Sequence, residues 1–137
     1  MRKAESRAVF ALGAAGYPLL EMLWRGRTHW SMALAGGLSF QAIYRAHAGG
    51  RSLPSRCARA AAAVTGIELA TGLVVNRALR LGVWDYSRKR LHLWGQICPQ
   101  YALAWLGLSA AASPLCRALR LYFSRRPGYN SEHVDTQ

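Results

Sequence analysis

Acidic residues are scarce in this chain: six Asp and Glu stand against eighteen Lys and Arg in 137 residues, a formal charge of +12. Cysteine is nearly absent. Cys57, Cys98 and Cys116 have no CxxC spacing and no histidine at zinc-like distance, and their odd number argues against a disulfide framework. They read as small apolar residues of helices. Also missing are a hydrolase nucleophile elbow, an HExxH zinc helix and a glycine loop for nucleotide phosphates. The sequence therefore calls for no metal and no cofactor. Enzyme activity is left one remote route, with His29 as general base and Asp85 as its orienter. No zinc-finger, RNA-recognition or helix-turn-helix signature accompanies the basic excess, so nucleic acid is not the expected partner.

What is present is segregation. Charges gather in clusters, and long uncharged stretches separate them, which a mean hydropathy of +0.02 conceals. Four apolar runs cover residues 8–24, 29–44, 60–76 and 94–116, and the arginines fall at their ends. At about 1.5 Å per residue they reach roughly 25 to 34 Å, bracketing a hydrocarbon core of about 30 Å. The second and fourth runs carry none of the four charged residue types, so neither offers the polar face of a water-soluble helix. The expected fold is all-α: a polytopic membrane protein, a four-transmembrane-helix bundle within residues 1–124, followed by a polar, disordered cytoplasmic tail at 125–137. The basic start Met1–Arg7 resembles a signal peptide, but with no evident cleavage site the first run reads as an uncleaved helix.

Orientation follows the lysines and arginines of the flanking segments. One side holds Arg2, Lys3, Arg7, Arg45, Arg51, Arg56, Arg59, Arg117, Arg120, Arg125 and Arg126. The other holds Arg25, Arg27, Arg77, Arg80, Arg88, Lys89 and Arg90. Eleven against seven places both termini in the cytoplasm, with the protein multi-pass in the cell membrane. Trp24, Trp30, Trp84 and Trp94 all fall at the outer boundaries, as an aromatic belt would.

Two acids inside the runs carry the sharpest signal. Glu21 and Arg25 stand four apart and can pair on one helix face; they form either a structural ion pair or part of a polar site with Thr28, His29 and Ser31. Glu68 lies in the middle of the third run, where an ionised carboxylate costs about 2.5–3.5 kcal/mol on insertion scales. It needs an interior partner. Gly72 and Asn76 follow on its face, a stripe that suggests close helix approach with polar groups at the contact. The stripe serves either as interhelical glue or as a contact for a proton, ion or substrate. Ala33 and Gly37, with Gly36 beside them, suit close helix packing, while Ser39 and Gln41 offer hydrogen bonds at depth. Pro18, Pro99 and Pro114 mark kinks inside or near the spans. In the third loop, Asp85 is placed to neutralise Arg25 or Arg27 or to cap a short helix. Arg88, Lys89 and Arg90 form a headgroup-facing patch, and Gly95-Gln96 open the fourth helix.

In order, these elements are Tyr17, Glu21, Arg25-Gly26-x-Thr28-His29-x-Ser31-Met32, Gly36-Gly37, Glu68-x3-Gly72-x3-Asn76, Trp84-Asp85-Tyr86-Ser87 and Gly95-Gln96-Ile97. Together they resemble the ABC-transporter type IV (CmpB-like) family of small bacterial membrane proteins. In that family the stretch after the WDYS string carries a proline and an asparagine, where this chain has Arg90 and His92. The resemblance implies an integral membrane transporter permease component. With no nucleotide-binding motif of its own, such a component needs a separate ATPase subunit, and four short helices need a homodimer or another partner to enclose a path. The expected substrate or ion contacts are Glu21, Arg25, Thr28, His29, Ser31, Glu68, Asn76, Asp85 and Gln96. The alternative is a non-transporting membrane module that binds lipid headgroups, through Arg88, Lys89 and Arg90, or a partner protein.

Overall fold

The computed structural model describes residues 1–125. The tail expected from residue 125 onward lies, beyond Arg125 itself, outside the described residues. Four helices follow one another: α1 (Lys3–Arg25), α2 (Trp30–Ala46), α3 (Leu53–Gly72) and α4 (Pro99–Ser124). α3 runs on without a break into a π-helical turn, Leu73–Ala78. No strand forms among the described residues, only an isolated antiparallel bridge between Leu93 and Ile97. Two helical stretches, Leu53–Ala78 and Pro99–Ser124, each 26 residues, are long and apolar enough to cross a membrane.

Sequence signals explain most helix ends. Gly26 takes a left-handed conformation (φ 69°) and its N–H closes on the Met22 carbonyl, ending α1 and turning the chain sharply into α2. His29 caps α2, its Nδ1 accepting from the Ser31 N–H at 3.3 Å and lying 2.8 Å from the Ser31 hydroxyl. Pro54 and Pro99 sit in the first turns of α3 and α4, where a missing N–H costs nothing. Pro99 is thus a helix start rather than a kink. α3 begins seven residues before the apolar run at 60–76, so Arg56 and Arg59 lie on the helix and the connecting loop is short. α4 begins five residues after the start of the run at 94–116. Gly95 and Gln96 therefore belong to the preceding loop and do not open the helix.

The helices pack in chain order, α1 on α2, α2 on α3, and α3 on α4, with α2 grazing α4. The closest approach is between α1 and α2. A Cβ on Gly36 would lie 2.5 Å from the Gly13 carbonyl oxygen and closer still to Tyr17 Cβ; on Gly37 it would meet the Phe10 ring. The Gln41 amide donates to the Ser6 carbonyl (2.9 Å) and hydroxyl (2.8 Å) across the same contact. The core lies along α2 and α3: Val9, Ile43, Tyr44, Ala60, Ala61, Val64, Trp105 and Cys116. Its lower end is polar. The Tyr44 hydroxyl donates to Glu5 at 2.5 Å, and Arg120 donates to the Tyr44 carbonyl while stacking 4.1 Å over its ring.

α1 and α4 are held together at two levels and gape elsewhere. Near the chain ends, Arg2 donates to the Phe123 carbonyl at 2.8 Å. Midway, the Tyr17 and Trp105 rings meet with centroids 5.6 Å apart. A cleft opens on either side of that ring contact.

His47, just past α2, is buried, and its Nε2–H donates to the Ser109 carbonyl at 3.0 Å. Burial holds its pKa below the ordinary value near 6.5; Arg56 and Arg120 add to the depression, against the Ser109 bond, which raises it. A histidine shifted down in this way resists protonation in the folded state but not in the unfolded one. Its contribution is complete above about pH 6.5 and is lost as pH falls below that. The thermal midpoint in detergent should drop between pH 7 and pH 5, and His47→Gln should flatten the drop. An equal drop in the variant would assign it to other groups.

Candidate functional site

Between the π-turn and α4 the chain runs irregularly from residue 79 to residue 98, yet Trp84, Gln96 and Cys98 within it are buried. Buried irregular backbone must satisfy its own polar groups, and this loop does so through side chains of the helices. The Asn76 carbonyl oxygen accepts from the Val83 N–H (2.7 Å), and its amide donates to Gln96 Oε1 (2.8 Å). Trp84 Nε1 donates to the Gln96 carbonyl (3.1 Å), and the Tyr86 N–H to the Gly95 carbonyl (2.8 Å). Arg80, Leu91 and Trp94 adopt positive φ between 52° and 57°, backbone strain that this bonding holds in place.

Of the stripe Glu68–Gly72–Asn76, Gly72 and Asn76 thus face a folded-back loop, while Glu68 meets both that loop and α4. A Cβ on Gly72 would meet the Gln96 side chain and the Trp84 ring. Trp84, only 5% exposed, packs against Met32 and Ala35 and is a plug rather than part of a belt. Trp24, Trp30 and Trp94 remain exposed. Replacing Asn76 with alanine removes the acceptor for Val83 and the donor to Gln96. About 1–3 kcal/mol per unsatisfied buried group is the expected loss. Limited proteolysis should then cut within residues 79–98, while a loop as resistant as wild type would show that Asn76 does not pin it.

Val83 joins this network to α1. Its carbonyl accepts from Arg25 at 2.7 Å while its N–H is held by Asn76. Arg25 also pairs with Glu21 at 2.9 Å, and the other Glu21 oxygen accepts from the Thr28 hydroxyl at 2.9 Å. Glu21 is buried; Arg25 is partly exposed. A single chain of contacts therefore runs from Thr28 through Glu21, Arg25, Val83 and Asn76 to Gln96.

Glu68, 8% exposed, lies below that chain with partners of its own. Tyr86 Oη donates to Oε1 at 2.9 Å, and Trp105 Nε1 donates to Oε2 at 3.2 Å. Tyr86 stacks on Tyr101 of α4 with centroids 4.5 Å apart. Tyr17 and Trp105 stand between Glu68 and the α1–α4 cleft and line the spaces on both sides. The upper chamber of the cleft holds about 400 Å³. Glu21 and Arg25 stand at its head beside Tyr86 and Tyr101, and Leu20, Leu23 and Leu108 line its apolar walls.

The remaining expected site residues lie elsewhere. His29 and Ser31 bond each other at the α2 start, and no hydrogen bond links His29 to Asp85 among the described residues. Asp85 turns on its own loop, accepting from the Ser87 N–H and hydroxyl at 2.8 Å each. It neutralises neither Arg25 nor Arg27. Those bonds, the backbone N–H foremost, hold its carboxyl below the usual carboxylate range. Arg88, Lys89 and Arg90 are exposed. Sequence reasoning named Tyr86 only within the Trp-Asp-Tyr-Ser string and passed over Val83, Tyr101 and Trp105. Val83 acts through its backbone, which leaves no trace in residue type. Trp105 stood in a run read only for its hydropathy.

Among the described residues, no group of three or more His, Cys, Asp or Glu could hold a metal ion, and the cysteines are unbridged. The class so defined is an all-helical protein with two membrane-length apolar stretches and a polar network buried beneath a folded-back loop. The chain belongs to the family described as "Putative ABC-transporter type IV", whose profile matches residues 33–127. That match contains the Glu68–Gly72–Asn76 stripe, the WDYS string and Gly95-Gln96-Ile97, but begins after the Arg25–Met32 string. No curated protein and no solved structure matches the chain.

Proposed function

We propose that this protein is the membrane-embedded component of a transport system, spanning the cell membrane four times with both termini in the cytoplasm. The observation that carries the reading is an inversion of polarity. Leu23 (78% exposed), Trp24, Leu103 and Leu115 project outward, while Glu5, Glu21, Glu68, Gln96 and Ser109 are buried. Water would favour the reverse, and hydrocarbon favours this arrangement. Only 17% of the most apolar part of α4 is buried, unlike the core helix of a soluble protein. The seven basic residues assigned to the outer side include Arg25, and the other six fall in the segments that follow α1 and α3.

In this reading the outer end, with Glu21, Arg25, Thr28, Asn76 and Gln96, receives the transported molecule, and Glu68 takes part in its passage. A separate ATPase supplies energy, in keeping with the family's description, and a second copy or another subunit completes the path. The exposed Arg88, Lys89 and Arg90 favour a second reading, in which the protein holds lipid headgroups without transporting.

The test compares intact cells expressing wild type and Glu68→Gln at equal membrane levels. The transport reading expects solutes whose distribution across the membrane changes with wild type and returns to the empty-vector pattern with the variant. Identical solute profiles for both proteins would overturn it.

A further inference from the structure

We propose that the cleft between α1 and α4 is a lateral binding site for one anionic phospholipid, taken from the outer leaflet with its phosphate at the Arg25 end and an acyl chain along the cleft. This deepens the transport reading by naming the class of molecule received, and it rests on the four-span orientation of that reading.

The shape of the cleft comes first. An upper chamber of about 400 Å³ and a lower one of about 260 Å³ share Tyr17, Leu20, Trp105 and Leu108 as walls. The lower chamber reaches Leu12 and Leu115. From Arg25 to Leu12 is thirteen residues of α1, about 20 Å of helix. One leaflet of hydrocarbon is about 15 Å deep, so the cleft has the length of a lipid chain rather than of a small polar solute. Below the Glu21–Arg25 pair its lining is almost wholly leucine, alanine, glycine and aromatic carbon.

The pinch decides what kind of chain fits. Tyr17 and Trp105 meet across the cleft at 5.6 Å, and Arg2 ties α1 to the end of α4. A helix, about 10 Å across with its side chains, cannot lie straight past that ring contact. A flexible acyl chain can bend around it.

Charge then selects the headgroup. Arg25 ends α1 and Arg77 lies in the π-turn at this end of the bundle, and the loops that follow them carry Arg27, Arg80, Arg88, Lys89 and Arg90. The acids there are Glu21, already paired with Arg25 and Thr28, and Asp85, occupied by Ser87. The cleft itself is lined by one charged pair, Glu21 and Arg25, but the end of the bundle at which it opens is net cationic, which favours a phosphate without a compensating amine.

The experiment is native mass spectrometry of the full chain in detergent, challenged with equimolar phosphatidylglycerol and phosphatidylcholine. One phosphatidylglycerol should be retained per chain, preferred about fivefold or more, the factor for roughly one basic residue acting at a membrane surface. Ala104→Trp, which fills the upper chamber from α4, and Leu20→Trp, which fills it from α1, should each abolish retention while leaving the thermal midpoint unchanged. Equal retention of the two lipids overturns the proposal, as does undiminished binding in both tryptophan variants. Binding lost only on neutralising Arg88–Arg90 moves the lipid to the loop surface and also overturns it. A dimer broken by the tryptophans gives the cleft to a second copy instead. Lipid binding is read without flux, so retention intact alongside unchanged distributions of both solutes and phospholipids across the membrane would sink the transport reading and leave this site standing.

Discussion

Replacing Glu68 by alanine should lower the stability of the protein in detergent by about 2–6 kcal/mol, whereas Glu68→Gln should leave it within about 1 kcal/mol of wild type. The carboxylate accepts from Tyr86 Oη and Trp105 Nε1, one donor on the folded-back loop and one on α4. Alanine strands both donors at a buried carboxylate site, at about 1–3 kcal/mol each. Glutamine keeps an acceptor for the indole, which can only donate. Its amide group then faces the tyrosine hydroxyl, which turns to accept. The pair of variants therefore separates the structural role of Glu68 from its charge. If glutamine destabilises as much as alanine, the two hydrogen bonds do not explain the residue. A glutamine variant that is stable yet without transport would make the charge the functional feature.

Gly36→Ala should detach α1 from α2. The new methyl group would meet the Gly13 carbonyl oxygen and Tyr17 Cβ, and neither is the far end of a flexible side chain. Overpacking costs about 1–3 kcal/mol where side chains can move aside, and this site should fall at the upper end or beyond because one neighbour is backbone. Gly16→Ala is the control on the same helix pair, since its Cβ would meet nothing within 4 Å. Removing a helix-interior glycine there should stabilise slightly, by about 0.5–1 kcal/mol. Thermal midpoints of the two variants should fall on opposite sides of wild type. Equal midpoints would show that the close approach is not what holds α1.

The two substitutions differ in how much of their logic the sequence carries. The glycines at 36 and 37 suit close packing in an apolar run, because two adjacent residues without side chains let another helix approach. Their partner was not legible, since Gly13 belongs to another run and only assembly brings the two together. Glu68 likewise announces a need for partners, because a carboxylate in the middle of an apolar run is costly to leave without them. That those partners are a loop tyrosine and an indole on α4 depends on the fold.

The loop at 79–98 was the least legible part. Its Trp-Asp-Tyr-Ser string reads as an interfacial segment, and by composition Trp84 belongs with the boundary tryptophans. The structure instead turns Trp84 inward against Met32 and Ala35, lets Asp85 close on Ser87, and holds the backbone on Asn76 and Gln96. Such a conformation is assembled from single hydrogen bonds between residues many positions apart, and these have no periodicity to detect.

The sequence by itself determined the four helices, the turn at Gly26, the scarcity of acids that makes Glu21 and Glu68 conspicuous, and the family. All of these are local or additive: the length of apolar runs, a turn glycine, counts and short strings. Only the tertiary structure decided that Val83 links Arg25 to Asn76, that Tyr86 and Trp105 hold Glu68, and that α1 and α4 part to leave a cleft. These features rest on contacts between distant residues, which depend on how far helices of given length and side-chain size can approach. A one-dimensional pattern contains the sizes but not the distances.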